Sequence, residues 1–334
     1  MKNEDLIRNI LQAEIPKHKQ RISTIRQLLE YRAKLHDSKT NNRLLHQLIL
    51  KYSDLEKKQK ALNRELTVKQ NLIEKDLVAA GKIQRSLLPN ESSSPGGLVI
   101  AWKFKPCQKV GGDIFNLFQL DDEHCVIYMV DVAGHGVPAA MVAVSVFQYL
   151  QPNCGNLMMT DNENVDTREI QQPGQVLTSL DQEFTFERFN TFITMTYVII
   201  NSKTGELISS RAGHPPPIIL RKDGMLQLLK KGGPALGTLD LRSVADGSIE
   251  FKEEHSKIYP GDKLILYTDG VNEYQNAKGE LYGNDRFFNH LKQLRDQTIE
   301  TLLERVFNSL IVFGNNSEPK DDVSLLGLEL SMAE

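Results

Sequence analysis

Cysteine is scarce in this 334-residue chain. There are three, Cys107, Cys125 and Cys154, with no CxxC spacing and no even count. A disulfide-built secreted fold is excluded, and the thiols read as reduced ones in a cytoplasmic protein. Long apolar runs are missing too. None approaches the ~18 residues that span a bilayer. The first ten residues, MKNEDLIRNI, carry acidic side chains where a secretory leader has its apolar centre. Neither charge sign dominates: 40 Lys+Arg face 43 Asp+Glu, for a net −3, so no basic excess points to nucleic acid. The eight histidines form no HxH pair, which argues against a histidine-ligated phosphodiesterase. Glycine is absent before Gly81, and Pro16 is the only proline before Pro89.

That last absence divides the chain. Residues 1–88 are rich in Leu, Ile, Lys, Glu and Gln, and apolar positions recur at helical spacing. From Leu45 a heptad can be written with Leu45, Tyr52, Gln59, Leu66, Ile73, Ala80 and Leu87 at one seam position. Leu48, Leu55, Leu62, Lys69, Asp76 and Ile83 fill the other. Gln59, Lys69 and Asp76 weaken the seam. The pattern predicts a dimeric coiled coil over 45–87, drawn as parallel, whose imperfect seam can rearrange. A second amphipathic segment, 4–36, is divided by Pro16. The polar stretch 36–42 reads as the turn between the two helices. Three regions follow: a helical dimerisation and regulatory region, 1–88; a Ser/Pro/Gly linker, 89–97; and a globular domain, 98–334.

Beyond the linker come short runs rich in β-branched residues, at 98–104, 114–119, 125–130, 192–200, 206–212, 217–221, 263–268 and 323–330. Turn signals at 202–205 and 222–224 suggest antiparallel hairpins. Helical patterns lie at 138–150, 174–188, 284–294 and 299–313. Strands in clusters argue against a doubly wound parallel sheet and for a layered sheet core flanked by helices. Six carboxylates stand at the ends of these runs: Asp113 after Gly111-Gly112, Asp131 in VDVAGHG, Asp269 and Glu273 in LYTDGVNE, and Asp321-Asp322 before the last run. Gathered at one sheet edge, such carboxylates cannot all ionise without a counter-cation. Hard oxygen donors suit Mg²⁺ or Mn²⁺.

The pieces AAGKIQRSLLP (79–89), VGGD (110–113), VDVAGHGVPAAM (130–141), FITMTYVII (192–200), RAGHPPPIIL (211–220), GGPALG (232–237), GDKLILYTDGVNE (261–273) and DDVSLL (321–326) occur in this order over some 250 residues. Together they resemble the metal-dependent type-2C (PPM) serine/threonine phosphatases, in the bacterial SpoIIE/RsbU-like branch. The resemblance implies an α+β fold, a four-layer α/β/β/α sandwich of two antiparallel sheets. It implies that Asp131 bridges two divalent ions, or two of three. Asp113 completes one side, Asp269 and the Asp321-Asp322 pair the other, and the Val132 carbonyl joins them. Asp321 takes the ligand register and Asp322 the neighbouring one, with the choice between them open. Eukaryotic relatives place a histidine, proposed as general acid, where this chain has Ala133. His135 is out of that register, and the acid stays unassigned. His214 is read as part of a rigid turn, Cys107 and Cys125 as packing residues, Lys105 and Lys109 as a solvated loop, and Glu273 as support behind the metal edge.

The implied activity is hydrolysis of phosphoserine or phosphothreonine on a STAS-type anti-sigma-factor antagonist in a partner-switching pathway. An upstream activator is expected to act on residues 1–88 of a homodimer, with no nucleic-acid or membrane partner. A catalytically inactive scaffold on the same fold, or a coiled-coil adaptor, is the competing expectation.

Overall fold

The structure, a computed structural model, describes residues 26, 38–90, 95–151, 159–161, 168–238 and 250–330. It divides into two compact units, 1–74 and 75–334. In the first, the described chain is the greater part of helix α1 (Ser38–Ser86). No glycine or proline interrupts α1 before Gly81, and i,i+4 ion pairs (Asp54–Lys58, Glu56–Lys60, Glu65–Lys69) run along its exposed surface. The turn expected at 36–42 is not found in its described part: residues 38–42 are helical. Ser, Thr and Asn stop a helix only where the backbone also turns, and here they occupy the first turn, which they favour. The segment 4–36 lies outside the described residues apart from Arg26. Along α1, Tyr52, Leu55, Leu62, Leu66 and Ile73 of the heptad seam are all exposed, by 38% to 65%.

The second unit is built on two antiparallel five-stranded sheets. One contains β1 (Leu98–Lys105), β8 (Ile218–Leu220), β9 (Leu226–Leu228), β11 (Lys263–Tyr267) and β12 (Val323–Leu330), in the order β1-β12-β11-β8-β9. The other contains β2 (Ile114–Gln119), β3 (His124–Val132), β6 (Ile193–Asn201), β7 (Glu206–Ala212) and β10 (Glu254–Lys257), in the order β10-β7-β6-β3-β2. A small hairpin, β4 (Met159–Asp161) and β5 (Arg168–Ile170), stands apart. Between the sheets Leu98, Trp102, Leu264, Leu266, Leu326 and Leu328 meet Phe115, Ile127, Met129 and Val198 in one buried core. Helices α2 (Val137–Tyr149) and α3 (Pro173–Glu183) add Ala143, Val146, Val176 and Leu180 to it from the far side of the β3 sheet. A second core joins β11 and β12 to α6 (Gly283–Gln293) and α7 (Ile299–Phe313) through Ile265, Leu325, Phe287, Leu303 and Val306. The layers are therefore α/β/β/α, as expected. Strand β3 reads as an unbroken apolar run because both its faces are covered. The helix expected at 174–188 is two: α3 ends at Glu183, and α4 (Phe186–Phe189) restarts after Thr185, which takes the extended backbone of an N-cap.

Candidate active site

The sheet registers decide where the carboxylates meet. Asp113 immediately precedes β2, and Asp131 lies at the end of its antiparallel neighbour β3, opposite Thr194 of β6. Asp269 opens α5 (Asp269–Asn272) two residues beyond β11, and Asp321-Asp322 immediately precede β12, which pairs with β11. Two antiparallel pairs thus end together, one in each sheet. The sheets are laced at this edge by side chains. The Thr268 hydroxyl donates to Asp113 Oδ2 at 2.9 Å, and the Ser324 hydroxyl donates to the same oxygen at 2.5 Å. Asp322 accepts the Cys107 N–H at 2.8 Å on one oxygen and the Gly112 N–H at 2.6 Å on the other. The two glycines of GGD are needed for this approach. A Cβ on Gly111 would strike the Asp322 carboxylate, and one on Gly112 would come 2.6 Å from the Val132 carbonyl.

Electrostatics mark the edge as one cluster. Asp113, 1% exposed, is held well above the ordinary carboxylate range by burial, then by Asp131 and Asp322. Asp131 is pushed up to about 8 by burial, then by Asp269, Asp321 and Asp322. Asp269 is pushed up to about 6 by burial, then by Asp321 and Glu273. Burial likewise raises Asp321, with Asp322 and Glu273 adding to it. Each charge makes the next harder to hold, and a hard divalent cation is what would relieve all of them. Among the described residues no three His, Cys, Asp or Glu side chains are drawn tightly enough to cage an ion as they stand. Most of these carboxylates already carry hydrogen bonds: both Asp322 oxygens accept main-chain N–H groups, one Asp113 oxygen accepts two hydroxyls, and one Asp321 oxygen accepts the Asp322 N–H at 2.8 Å. The donor chemistry fits Mg²⁺ or Mn²⁺.

The pH dependence has a definite sign. A carboxyl whose folded value is raised from 3.8 to about 8 favours the folded state while protonated. That contribution is complete below ~pH 4 and is lost as pH rises through 8. The expected outcome is a metal-free protein whose melting temperature falls between pH 5 and pH 8, and an Asp131→Asn variant that falls less. At ~2–4 °C per kcal/mol the difference is measurable by thermal unfolding in EDTA. Parallel curves for parent and variant would contradict the assigned burial of charge.

Other residues fall as follows. His135 is exposed, its Nδ1 2.8 Å from Gln108 Nε2, and it lies close enough to Asp321 to favour that ion. His214 is 1% exposed, with Nδ1 2.8 Å from the Thr194 hydroxyl and its basicity pushed down to about 3 by burial. It is a neutral interior group held on Thr194, the residue that faces Asp131 across the sheet. Cys107 and Cys125 are pushed up to about 12 and about 11 by burial, so neither is a poised nucleophile. Lys105 faces Glu318 at 3.6 Å, and Glu273 is exposed beside Asp269 and Asp321. Sequence reading missed Thr268, Ser324 and Gln84. Gln84, 4% exposed near the end of α1, grips Gly111 from both sides: Nε2 donates to its carbonyl at 2.7 Å and Oε1 accepts its N–H at 3.1 Å. The only sequence signal for Gln84 was its position in AAGKIQRSLLP.

The profile of the family described as Stage II sporulation protein E (SpoIIE) matches residues 121–331, more than half of the chain. Protein IcfG of Synechocystis sp. is 27% identical over 276 residues, covering 78% of this chain and 42% of IcfG. Phosphoserine phosphatase RsbP of Bacillus subtilis is 25% identical over 244 residues, covering 71% of this chain and 53% of RsbP. The chain thus spans about half the length of these relatives. Among solved structures, the SiaA-PP2C domain of Pseudomonas aeruginosa superposes with a TM-score of 0.63 at 23% identity, over 78% of this chain and 98% of that domain. Among the described residues no helix is long and apolar enough to cross a membrane. Two antiparallel sheets with an acidic edge, matched along 211 consecutive residues, place this chain in the SpoIIE family of PP2C-type, metal-dependent phosphatases.

Proposed function

We propose that the chain is a cytoplasmic protein serine/threonine phosphatase that removes phosphate from a regulatory phosphoprotein, a STAS-type anti-sigma-factor antagonist, in a partner-switching pathway. The observation that carries the reading is the acidic edge where Asp113, Asp131, Asp269 and Asp321 are all raised above the ordinary carboxylate range by burial and by their acidic neighbours, Asp322 among them. Asp131, Asp113, Asp269, Asp321 and the Val132 carbonyl would hold two divalent ions, Mn²⁺ or Mg²⁺. When bound, the ions supply an activated water at neutral pH and offset phosphoryl charge. Asp322 acts instead as a strap, keeping Gly112 and Cys107 against the start of β12 through its hydrogen bonds. Thr268 and Ser324 aim Asp113. No phosphoenzyme is called for, and neither cysteine is suited to form one.

Control is assigned to the N-terminal helices. The exposed seam of α1 suits a parallel pair with a second copy over 45–87, and an upstream activator would bind within 1–88. Gln84 gives such a helix a grip on the loop that ends in Asp113.

Incubation of the full chain and Mn²⁺ with candidate STAS proteins phosphorylated on serine tests the substrate. Selective loss of phosphate from one of them supports the proposal. Hydrolysis of p-nitrophenyl phosphate with none of the proteins turned over would remove the substrate assignment and keep the enzyme.

His135 gives a second check. It is exposed and tied to Gln108 rather than to the interior of the cluster. His135→Ala is expected to keep much of the activity. General acid–base groups contribute ~10²–10⁴-fold, so a loss of that size in kcat with unchanged Mn²⁺ affinity would make His135 the missing acid.

A further inference from the structure

Beside the acidic edge stands an aromatic pair that the hydrolytic reading does not use. Phe186 and Phe192 stack with ring centroids 4.8 Å apart and planes 22° from parallel, yet they remain 39% and 40% exposed. Their position is fixed by the loop that leaves Asp131. The Ala133 N–H donates to the Phe192 carbonyl at 2.9 Å, and the Thr191 hydroxyl donates to the Ala133 carbonyl at 2.8 Å. Phe192 immediately precedes β6, and its carbonyl is tied to the loop two residues beyond Asp131, so the pair stands next to the acidic edge in the fold. On the helix leaving the same loop, Val137 and Met141, one turn apart, are 47% and 62% exposed.

We infer that Phe186 and Phe192 form the docking surface for an apolar side chain flanking the phosphoserine of the protein substrate, a specificity element that rests on the phosphatase activity proposed above. The acidic edge, with the divalent ions it would hold, is suited to the phosphate. A protein substrate must be distinguished from any other phosphate ester by contacts beside it. A rigid aromatic pair next to the centre supplies apolar area at small entropic cost.

The test uses the full chain in Mn²⁺ with three substrates: p-nitrophenyl phosphate, a phosphoserine peptide with leucine on both sides of the phosphoserine, and the same peptide with glycine there. The parent should prefer the leucine peptide by about tenfold in kcat/KM, expressed in KM, the size of one good anchor contact. Phe186→Ala with Phe192→Ala should bring the ratio near one while p-nitrophenyl phosphate turnover stays at the parental rate. The single Phe186→Ala, whose ring leaves β6 untouched, should give a partial loss. A ratio near one in the parent, or a parental ratio kept by the double variant, would overturn the docking site. A double variant that sediments as a smaller species while keeping the peptide preference would assign the face to self-association and overturn it equally. Hydrolysis of none of the three substrates by the parent would instead remove the phosphatase reading, and the docking site with it.

Discussion

Asp131→Ala and Asp269→Ala should each abolish phosphatase turnover while the fold survives. Both side chains stand at strand ends in the mutually repelling cluster; Asp131 shares a hydrogen bond with Asp113 and Asp269 accepts local main-chain N–H groups, whereas Asp113 and Asp322 tie separate segments together. Groups behind a metal ligand cost ~10–100-fold when removed. Under the proposed assignment of Asp131 as a ligand to both ions the cost should be greater, and Asp131→Ala should fall below the limit of a p-nitrophenyl phosphate assay. The same substitution relieves charge that burial disfavours. Melting in EDTA should therefore be unchanged or higher, which separates lost chemistry from lost structure. Near-normal turnover in Mn²⁺ by either variant would show that the assigned centre is wrong.

The second large effect is expected far from the site in sequence. Under the proposed pairing of α1 with a second copy, Leu66→Lys with Ile73→Lys should convert a dimer into a monomer and change the catalytic rate. Both residues belong to the α1 seam and are over half exposed in the single chain, at 51% and 58%. In a paired helix they would be covered, and a lysine at each would bury an uncompensated charge. α1 runs without a break from Ser38 to Ser86, and Gln84 near its end holds the carbonyl and N–H of Gly111, two residues from Asp113. A change in helix pairing could therefore bias where Asp113 stands. Sedimentation and initial rates, measured together, decide it. A monomeric variant with the parent's basal rate and the parent's response to an activator would make the helix a tether alone.

Much of the fold was legible because its elements carry their own periodicity. The strands at 114–119, 206–212 and 323–330 and the helix at 299–313 appear at the expected residues, each an apolar pattern bounded by turn or cap signals. Strands β9 and β10 were not legible. LQL and EHSK are short, hold few fully buried side chains and lie at sheet edges, so their neighbours define them rather than their own pattern. The site divides the same way. Five aspartates at strand ends could be read from spacing, since each follows or precedes a visible run. Thr268, Ser324 and Gln84 could not, because their bonds join segments 155, 211 and 27 residues apart, and a hydroxyl or amide beside a strand carries no local signature. Asp322 was half legible. Its adjacency to Asp321 suggested a shared role, but the bonds from Cys107 and Gly112 that it accepts from distant segments carry no local signature.

The most direct test of the account is phosphate release from a phosphoserine protein by the purified full chain, with added Mn²⁺, with EDTA, and with Asp131→Ala. The account predicts release in Mn²⁺ alone, and none in EDTA or from the variant. A folded parent that binds Mn²⁺ yet releases no phosphate from phosphoserine protein or p-nitrophenyl phosphate would contradict it, and would leave a phosphatase fold that serves only as a scaffold.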